Sequence, residues 1–589
     1  MAVPLFLGTL SYGCLHEGMP DGINNGFICP IGIVTMTSKR KAIQQIAIIC
    51  LIIGAVLLPF CGKSFHMDDP LFIWTGKHLL LNPLDFYGFT VNWYGKLQPM
   101  SEVMKNPPLF SYYLALTGGL AGWSERSLHL ACLLPALAVA VGTWLVAREF
   151  DAEPLLAALA GLLTPVFLLS ATTVMCDVMM LAFWVWGIYL WLQGCKRDDP
   201  RLLIAAALLV SAAALTKYFG VCLIPLLALY SLSERGRRHT LFYLLIPVVI
   251  MAGYQFWTGQ LYGNGLLFDA AGYSTKTRKL TPGGAVAALV TGLSYCGGGL
   301  LPFLLCIPGV WGRRHLPILA VLPIFALILI VLPEHINEYH PGVAAGRWLQ
   351  SVQLLLFVTA GLGVLYLAVA ETVQRRDDRT LFLAAWILGT FLFAGFLNWT
   401  VSGRNILPMA PAVGILLARR LAISDMRGMV RVGMIPGAAV VVSLLVSLAV
   451  VSADVSLANA ARWAASDITT RYGKKRATVY FQGHWGFQYY MEQYGALAVD
   501  FDRANFAELD IMVVPTFGTN ILMPTSDGFI QVDSVVSPGP SGLSTMNAKS
   551  GASFYASQMA ALPFAFGPAQ PVRYDLFLFS PVITGTMSR

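Results

Sequence analysis

Asp68 and Asp69 stand side by side just after an apolar stretch, and the polar loop they open runs on to Lys105-Asn106-Pro107-Pro108. Neighbouring carboxylates beside a bilayer carry a desolvation cost and are kept where they serve a purpose such as proton transfer, so a membrane enzyme is the first chemistry to consider. The other residues with chemical potential are scattered. Asp177 opens an apolar stretch, Lys217 closes one, Arg404 precedes another, and Glu334-His335 with Glu338 and His340 forms a polar cluster after a further one.

The elements that must bring such residues together are membrane spans. Of 589 residues, 56% are hydrophobic and only 12% charged, and a mean hydropathy of +0.66 is too apolar for an ordinary soluble protein. Apolar stretches able to cross a hydrocarbon core of about 30 Å number about thirteen. They are Ile46 to Phe60, Leu128 to Val146, Leu155 to Ser170, Val178 to Leu192, Leu202 to Leu215, Phe219 to Leu232 and Leu241 to Trp257. The rest are Ala285 to Val310, Leu316 to Leu332, Leu349 to Ala370, Leu381 to Leu397, Ile406 to Ala418 and Val432 to Val451. The predicted fold class is a polytopic α-helical membrane protein with a small C-terminal α/β domain.

Alternate connections are short and basic: Lys39-Arg40-Lys41, Arg148, Lys196-Arg197, Arg237-Arg238, Arg313-Arg314, Arg375-Arg376 and Arg419-Arg420. Excess Lys and Arg faces the cytoplasm, which predicts Asp68-Asp69, Asp177, Lys217, Glu334 to Arg347, Arg404 and the whole C-terminal segment on the other side. The net charge of +8 is mostly this bias and calls for no nucleic-acid partner. Residues 1–40 read as a tail without the order of a signal peptide, and Met36 as an alternative start. Residues 41–452 read as the transmembrane domain, with an outer loop over 62–127, and 453–589 as an outer domain.

All ten cysteines fall between Cys14 and Cys306, none at metal-ligand spacing, so the C-terminal segment folds without disulfides. In it, Ala477 to Phe481, Leu509 to Pro515 and Tyr574 to Phe579 are predicted strands and Phe487 to Tyr494 a helix. The turn Gly483-His484-Trp485-Gly486 is a ligand loop or, more simply, a strand-to-helix turn with packed aromatics. The loop from Gly62 to Asn106 is longer than a connection requires and carries Asp85, Tyr87, Trp93 and Tyr94 besides the Asp pair. Pro107 to Trp123 is apolar but short, as suits a helix lying in the interface.

The order His66-Met67-Asp68-Asp69, Asn106-Pro107-Pro108-Leu109 with Tyr112-Tyr113, then Gly122-Trp123-Ser124-Glu125-Arg126 resembles the membrane glycosyltransferases of the GT-C fold. More narrowly it resembles the dolichyl-phosphate-mannose protein mannosyltransferase superfamily, which includes the bacterial transferase that adds aminoarabinose to lipid A. Met175-Cys176-Asp177-Val178-Met179, Thr216-Lys217-Tyr218 and Ser402-Gly403-Arg404-Asn405-Ile406-Leu407-Pro408 look like later landmarks. The resemblance implies inverting transfer of a sugar from a polyprenyl-phosphate carrier to a lipid, glycan or protein acceptor at the outer face of a bacterial inner membrane.

Within that resemblance a carboxylate takes the acceptor's proton, Asp69 first and Asp68 second, and a cation steadies the departing phosphate, for which Lys217 and Arg404 are the outer-face candidates. Asp177 orients Lys217 or the acceptor, and Asn106 and Tyr112 join it as substrate-positioning residues. Each has a plainer alternative. Asp69 before Pro70 suits a helix cap, as does Asp177; Lys217 could snorkel and Arg404 could anchor a helix at the interface. His129, inside an apolar run, reads as a packing residue. His335, Glu338 and His340 have metal-ligand types but equally suit a solvated loop, and a divalent metal is the one cofactor the sequence raises. The rival function is a lipid-linked sugar flippase or transporter, which would place its charges near the midplane in repeated halves.

Overall fold

The computed structural model describes residues 31–580 apart from 279–280, 303–320, 322, 326–347, 424–433, 474–477, 504, 525–527 and 540–541. The chain divides into a unit ending at Gln45 and a second, Ile46–Arg589, that holds all the chemistry below. The first described helix is α1 (Ile31–Leu57).

Seven helices among the described residues are long and apolar enough to span a membrane: Lys39–Phe60, Glu125–Glu149, Asp177–Arg197, Gly236–Tyr262, Trp348–Arg375, Asp378–Leu397 and Pro436–Tyr472. Pro154–Leu162 and Pro165–Ala171, bent by 70° at Pro165, form an eighth if counted as one. The chain is an integral membrane protein. Of the predicted stretches, Leu202 to Leu215 and Phe219 to Leu232 are shorter apolar helices, Pro200–Thr216 and Tyr218–Ser233. Leu316 to Leu332 lies largely outside the described residues, as do Glu334, His335, Glu338 and His340.

Five helices place the candidate site. After α1, α2 (Asp69–Leu79) opens the long loop, and α3 (Leu109–Ala121) closes it as a short apolar helix. A helical hairpin follows, α4 (Asp177–Arg197) and α5 (Pro200–Thr216), joined where Asp198 turns left-handed and Asp199 caps the second helix. The two helices are antiparallel and of similar length, so Asp177 at the start of one and Lys217 just past the end of the other share one end of the pair. The short α6 (Gly403–Ile406), capped by Ser402, carries Arg404.

A long helix, α7 (Met434–Tyr472), has 39 residues. At 1.5 Å per residue it is roughly 58 Å long, nearly twice a hydrocarbon core of about 30 Å. It therefore continues well past Val451, where the apolar pattern stops. Its second half meets the start of the long loop: Asp454 pairs with Lys63 at 2.6 Å, both side chains fully buried, and the Asn459 amide oxygen accepts from the Ser64 backbone N–H at 3.1 Å and hydroxyl at 2.7 Å.

The C-terminal sheet contains β1 (Val479–Phe481), β2 (Leu497–Ala498), β3 (Ile511–Pro515), β4 (Phe529–Val536) and β5 (Arg573–Phe579) in the order β2-β1-β3-β5-β4. β1 is parallel to β2 and β3, and β5 is antiparallel to β3 and β4. The fully buried β3 and its neighbours are the apolar runs the sequence predicted. β4 was not foreseen, because its mostly exposed Phe-Ile-Gln-Val-Asp-Ser-Val-Val mixes polar and apolar residues as an edge strand does. A helix, α8 (Trp485–Gln493), follows the Gly483-His484-Trp485-Gly486 turn.

This sheet is clasped to the long loop. A hairpin within the loop pairs Thr90–Asn92 with Leu97–Pro99; the Gly95 carbonyl accepts from Phe501 N–H at 2.8 Å, and the Asn92 amide donates to the Val499 carbonyl at 2.9 Å. Tyr490 receives the Phe65 N–H at 2.9 Å and donates to Glu125 at 2.8 Å, which also binds Arg462. Gly486 passes so close that a Cβ there would lie 2.0 Å from the Phe65 carbonyl oxygen. Gly486→Ala is therefore expected to cost about 1–3 kcal/mol by overpacking, read as a lower midpoint of thermal unfolding in detergent; an unchanged midpoint would show that the two backbones are not in contact.

Candidate active site

The turn before α2 fixes both carboxylates. Met67, buried, sits in the left-handed region at φ 48°, a conformation a bulky residue adopts only when its surroundings impose it. Asp69 is what imposes it here: its Oδ2 accepts from the His66 backbone N–H at 2.8 Å, and its Oδ1 from the Val174 N–H at 2.9 Å, just before α4. The carboxylate is thus a clamp between two loops, and none of its surface is exposed. Asp68 occupies the cap position of α2 but makes no capping bond. Its side chain is 32% exposed and pairs instead with Arg404 Nη2 at 3.1 Å. The helix-cap reading of this pair is therefore not what the side chains do.

Arg404 arrives from the far end of the chain. Its Nη1 donates to the Met175 sulfur at 2.7 Å and stands 3.9 Å from Asp177 Oδ2, while the guanidinium carbon lies 5.5 Å from the Tyr555 ring centre. Lys217 donates to Asp177 Oδ1 at 2.5 Å and to the Asn405 amide oxygen at 2.9 Å. Both cations are 85% buried, with 15% of each side chain exposed, so neither snorkels nor merely anchors a helix. Asp177 is the first residue of α4 and spends its oxygens on these cations rather than on capping.

Electrostatics set the protonation states. Burial pushes Asp69 up from an ordinary carboxylate value to about 7; the Lys63 charge and the two backbone N–H groups oppose the rise without cancelling it, and Asp68 adds to it. Burial pulls His66 down to about 4, so its imidazole is neutral. Burial also acts against the Arg404 charge, but Asp68 and Asp177 more than offset it and hold the guanidinium above its usual value.

A pH dependence follows. Two N–H donors need an ionised Asp69, and protonation places an O–H against one of them, loosening the Met67 turn that carries Asp68. Activity is expected to fall as pH drops through about 7. The sign for stability is opposite: a carboxylate whose value is raised on folding penalises the folded state as pH climbs from about 4 to about 7. The acid-side loss is then not unfolding driven by this group. Parallel pH profiles of activity and of thermal midpoint check this, and an activity flat from pH 6 to 8 would contradict it.

Among the described residues of this group, Arg404 Nε, Asp177 Oδ2 and His66 Nε2 are buried without a hydrogen-bond partner. The unpaired Arg404 Nε–H is a donor free for an acceptor that arrives from outside, such as a phosphate oxygen. Asn106 and Tyr112 stand apart from this group in their bonding. The Asn106 carbonyl accepts from Tyr87 at 2.6 Å, and Tyr112 donates to the Pro83 carbonyl, so any positioning they do passes through the loop. His129 donates through its Nδ1–H to the Glu125 carbonyl at 2.8 Å and stacks near Phe65, a packing role. Among the described residues, no group of three or more His, Cys, Asp or Glu is arranged to hold a metal.

Four participants were not singled out from sequence: Lys63, Asp454, Asn405 and Tyr555. Asp454 had a signal, an acidic residue continuing an apolar helix, which is costly unless paired. Asn405 stood in a landmark as a neighbour of Arg404. Tyr555, in a loop with no pattern, had none.

Residues 105–256 match the profile of the dolichyl-phosphate-mannose-protein mannosyltransferases, a stretch that includes Asp177 and Lys217 but neither Asp68-Asp69 nor Arg404. No protein of curated function matches the chain. Among solved structures, ArnT from Cupriavidus metallidurans bound to undecaprenyl phosphate is similar at 14% identity and a TM-score of 0.46, over 80% of this chain and 92% of that one. The oligosaccharyltransferase AglB from Archaeoglobus fulgidus, with an inhibitory peptide and a dolichol-phosphate, is similar at 12% identity and a TM-score of 0.45, over 78% of this chain and 64% of that one.

Proposed function

We propose that this chain, a relative of the dolichyl-phosphate-mannose-protein mannosyltransferases over residues 105–256, transfers a sugar from a polyprenyl-phosphate carrier to an acceptor hydroxyl or amine, with inversion. The observation that carries the proposal is the meeting of Asp68, Asp177, Lys217 and Arg404, drawn from separate parts of the chain, at one point beside the long loop. Breaking the bond between the anomeric carbon and the phosphate oxygen sends its electron pair to the phosphate. Lys217 and Arg404 are there to receive that charge, Arg404 with an unpaired N–H. The acceptor oxygen or nitrogen bonds to the anomeric carbon and gives its proton to a carboxylate.

For that proton the base role goes to Asp68 rather than Asp69, reversing the order the sequence suggested. Reach precedes pKa in choosing a base: Asp68 is partly exposed, whereas Asp69 is fully buried and holds two backbone N–H groups. Asp69 then acts as the residue that holds the turn. The basic connections support placing this face, and the C-terminal sheet, opposite the cytoplasm, as in the inner membrane of a bacterium.

The test supplies purified protein in lipid with a panel of labelled polyprenyl-phosphate sugars and a membrane extract of acceptors. Label passing to an acceptor supports the proposal and identifies both substrates. Label that only changes leaflet in sealed vesicles would replace the transferase with a flippase.

A further inference from the structure

The segment from Thr545 to Gln558, far along the chain and beyond the apolar spans, is built into the wall of the site. The Thr545 hydroxyl donates to Asp454 Oδ1 at 2.6 Å and the Tyr555 hydroxyl to Asp454 Oδ2 at 2.8 Å, on the carboxylate that pairs with Lys63. The Phe554 carbonyl accepts from Gly403 N–H at 2.8 Å, and the Val401 carbonyl from Ser557 N–H at 2.9 Å. The segment therefore straps the backbone on which Arg404 sits. A Cβ on Gly403 would overlap the Phe554 ring, so the two segments are in direct contact.

Between these anchors lies Tyr555, 3% exposed. Its ring covers the Arg404 guanidinium at 5.5 Å and meets the His66 ring edge-on at 5.8 Å. Arg404 needs such a contact. It projects from a helix of only four residues, its two terminal nitrogens make one hydrogen bond each, with Asp177 a further 3.9 Å from Nη1, and its Nε makes none. A guanidinium binds phosphate through two coplanar N–H bonds, so the orientation of its plane decides whether the fork faces the anion. A π face against it fixes that plane.

We propose that Tyr555 is a positioning residue that sets the plane of the Arg404 guanidinium for the donor phosphate, which makes the Thr545–Gln558 segment part of the donor site. The inference rests on the phosphate role proposed for Arg404. Tyr555 touches neither the donor sugar nor the acceptor in this assignment; it acts through Arg404 and, by its hydroxyl, through Asp454.

The experiment measures binding of undecaprenyl phosphate, and KM and kcat for the polyprenyl-phosphate donor, in full-length protein in lipid. Tyr555→Leu is expected to weaken undecaprenyl phosphate binding and raise donor KM by roughly 5- to 30-fold, the range of a desolvated cation–π contact, with kcat much less affected. Tyr555→Phe keeps the ring face and is expected to show less than a third of that change. In an Arg404→Lys background the Tyr555→Leu effect should largely vanish, because an ammonium has no plane to orient. If Tyr555→Leu fails to fold, Tyr555→Met, which fills the space without a π face, is read in its place.

Unaltered binding in the Leu or Met variant would overturn the proposal. So would equal losses in Phe and Leu, which would assign the effect to the hydroxyl and Asp454, or a full Tyr555 effect in the Arg404→Lys background. Failure of the parent protein to bind undecaprenyl phosphate at all would instead remove the donor reading, and this inference with it.

Discussion

Asp68→Asn is expected to lower kcat by about 10²- to 10⁴-fold, the contribution of a positioned base, while leaving the fold intact and undecaprenyl phosphate binding no weaker. The asymmetry comes from what each carboxylate holds. Asp68 bonds to Arg404 and is partly open, so its loss frees a guanidinium without opening a buried void. Asp69→Asn should also lose activity, but by another route. An Asn amide can accept from one of the His66 and Val174 N–H groups and presents its own donor to the other, leaving a buried N–H unpaired at a cost of about 1–3 kcal/mol. The two variants therefore separate in thermal stability. A stable Asp69→Asn protein with full activity would leave the clamp without a role; a fully active Asp68→Asn protein would remove the proposed base.

Lys217→Met carries the second large effect. Asp177 is 1% exposed and receives Lys217 at 2.5 Å, with Arg404 no closer than 3.9 Å. Removing the lysine leaves a buried carboxylate poorly compensated, expected to cost about 3–5 kcal/mol. Adding Asp177→Asn should restore much of that stability, since a neutral amide needs no cation. Donor binding should stay weak in the double variant, because one of the two charges proposed to face the phosphate is gone. Denaturation midpoints and undecaprenyl phosphate binding, measured on the single and double variants, separate the roles. Recovery of both properties in the double variant would make Lys217 a structural partner of Asp177 and nothing more.

The spans were legible because each is a long apolar run with charges at its ends, and the strands β1, β3 and β5 because they are short apolar runs between polar turns. Asp68, Asp177, Lys217 and Arg404 were legible one at a time, as ionisable residues at the edges of spans. Which carboxylate reaches the open side was not. That depends on the left-handed turn at Met67 and on an N–H of Val174, and backbone geometry of this kind leaves no mark on composition. The reach of α7 beyond Val451 was hidden by its polar second half, which reads as the start of the outer domain until Asp454, Asn459 and Arg462 are seen to meet Lys63, Ser64 and Glu125. Tyr555 was invisible because its importance lies in the segments that strap it down.

The most direct measurement follows one labelled polyprenyl-phosphate sugar with purified protein in lipid, recording the released polyprenyl phosphate, the labelled acceptor and the anomeric configuration of the new bond. Equal amounts of the two products, an inverted configuration, and formation of both products about 10²- to 10⁴-fold slower with Asp68→Asn are expected. Label that stays on the lipid carrier while crossing the bilayer, or a retained configuration, would contradict single-step transfer at this site.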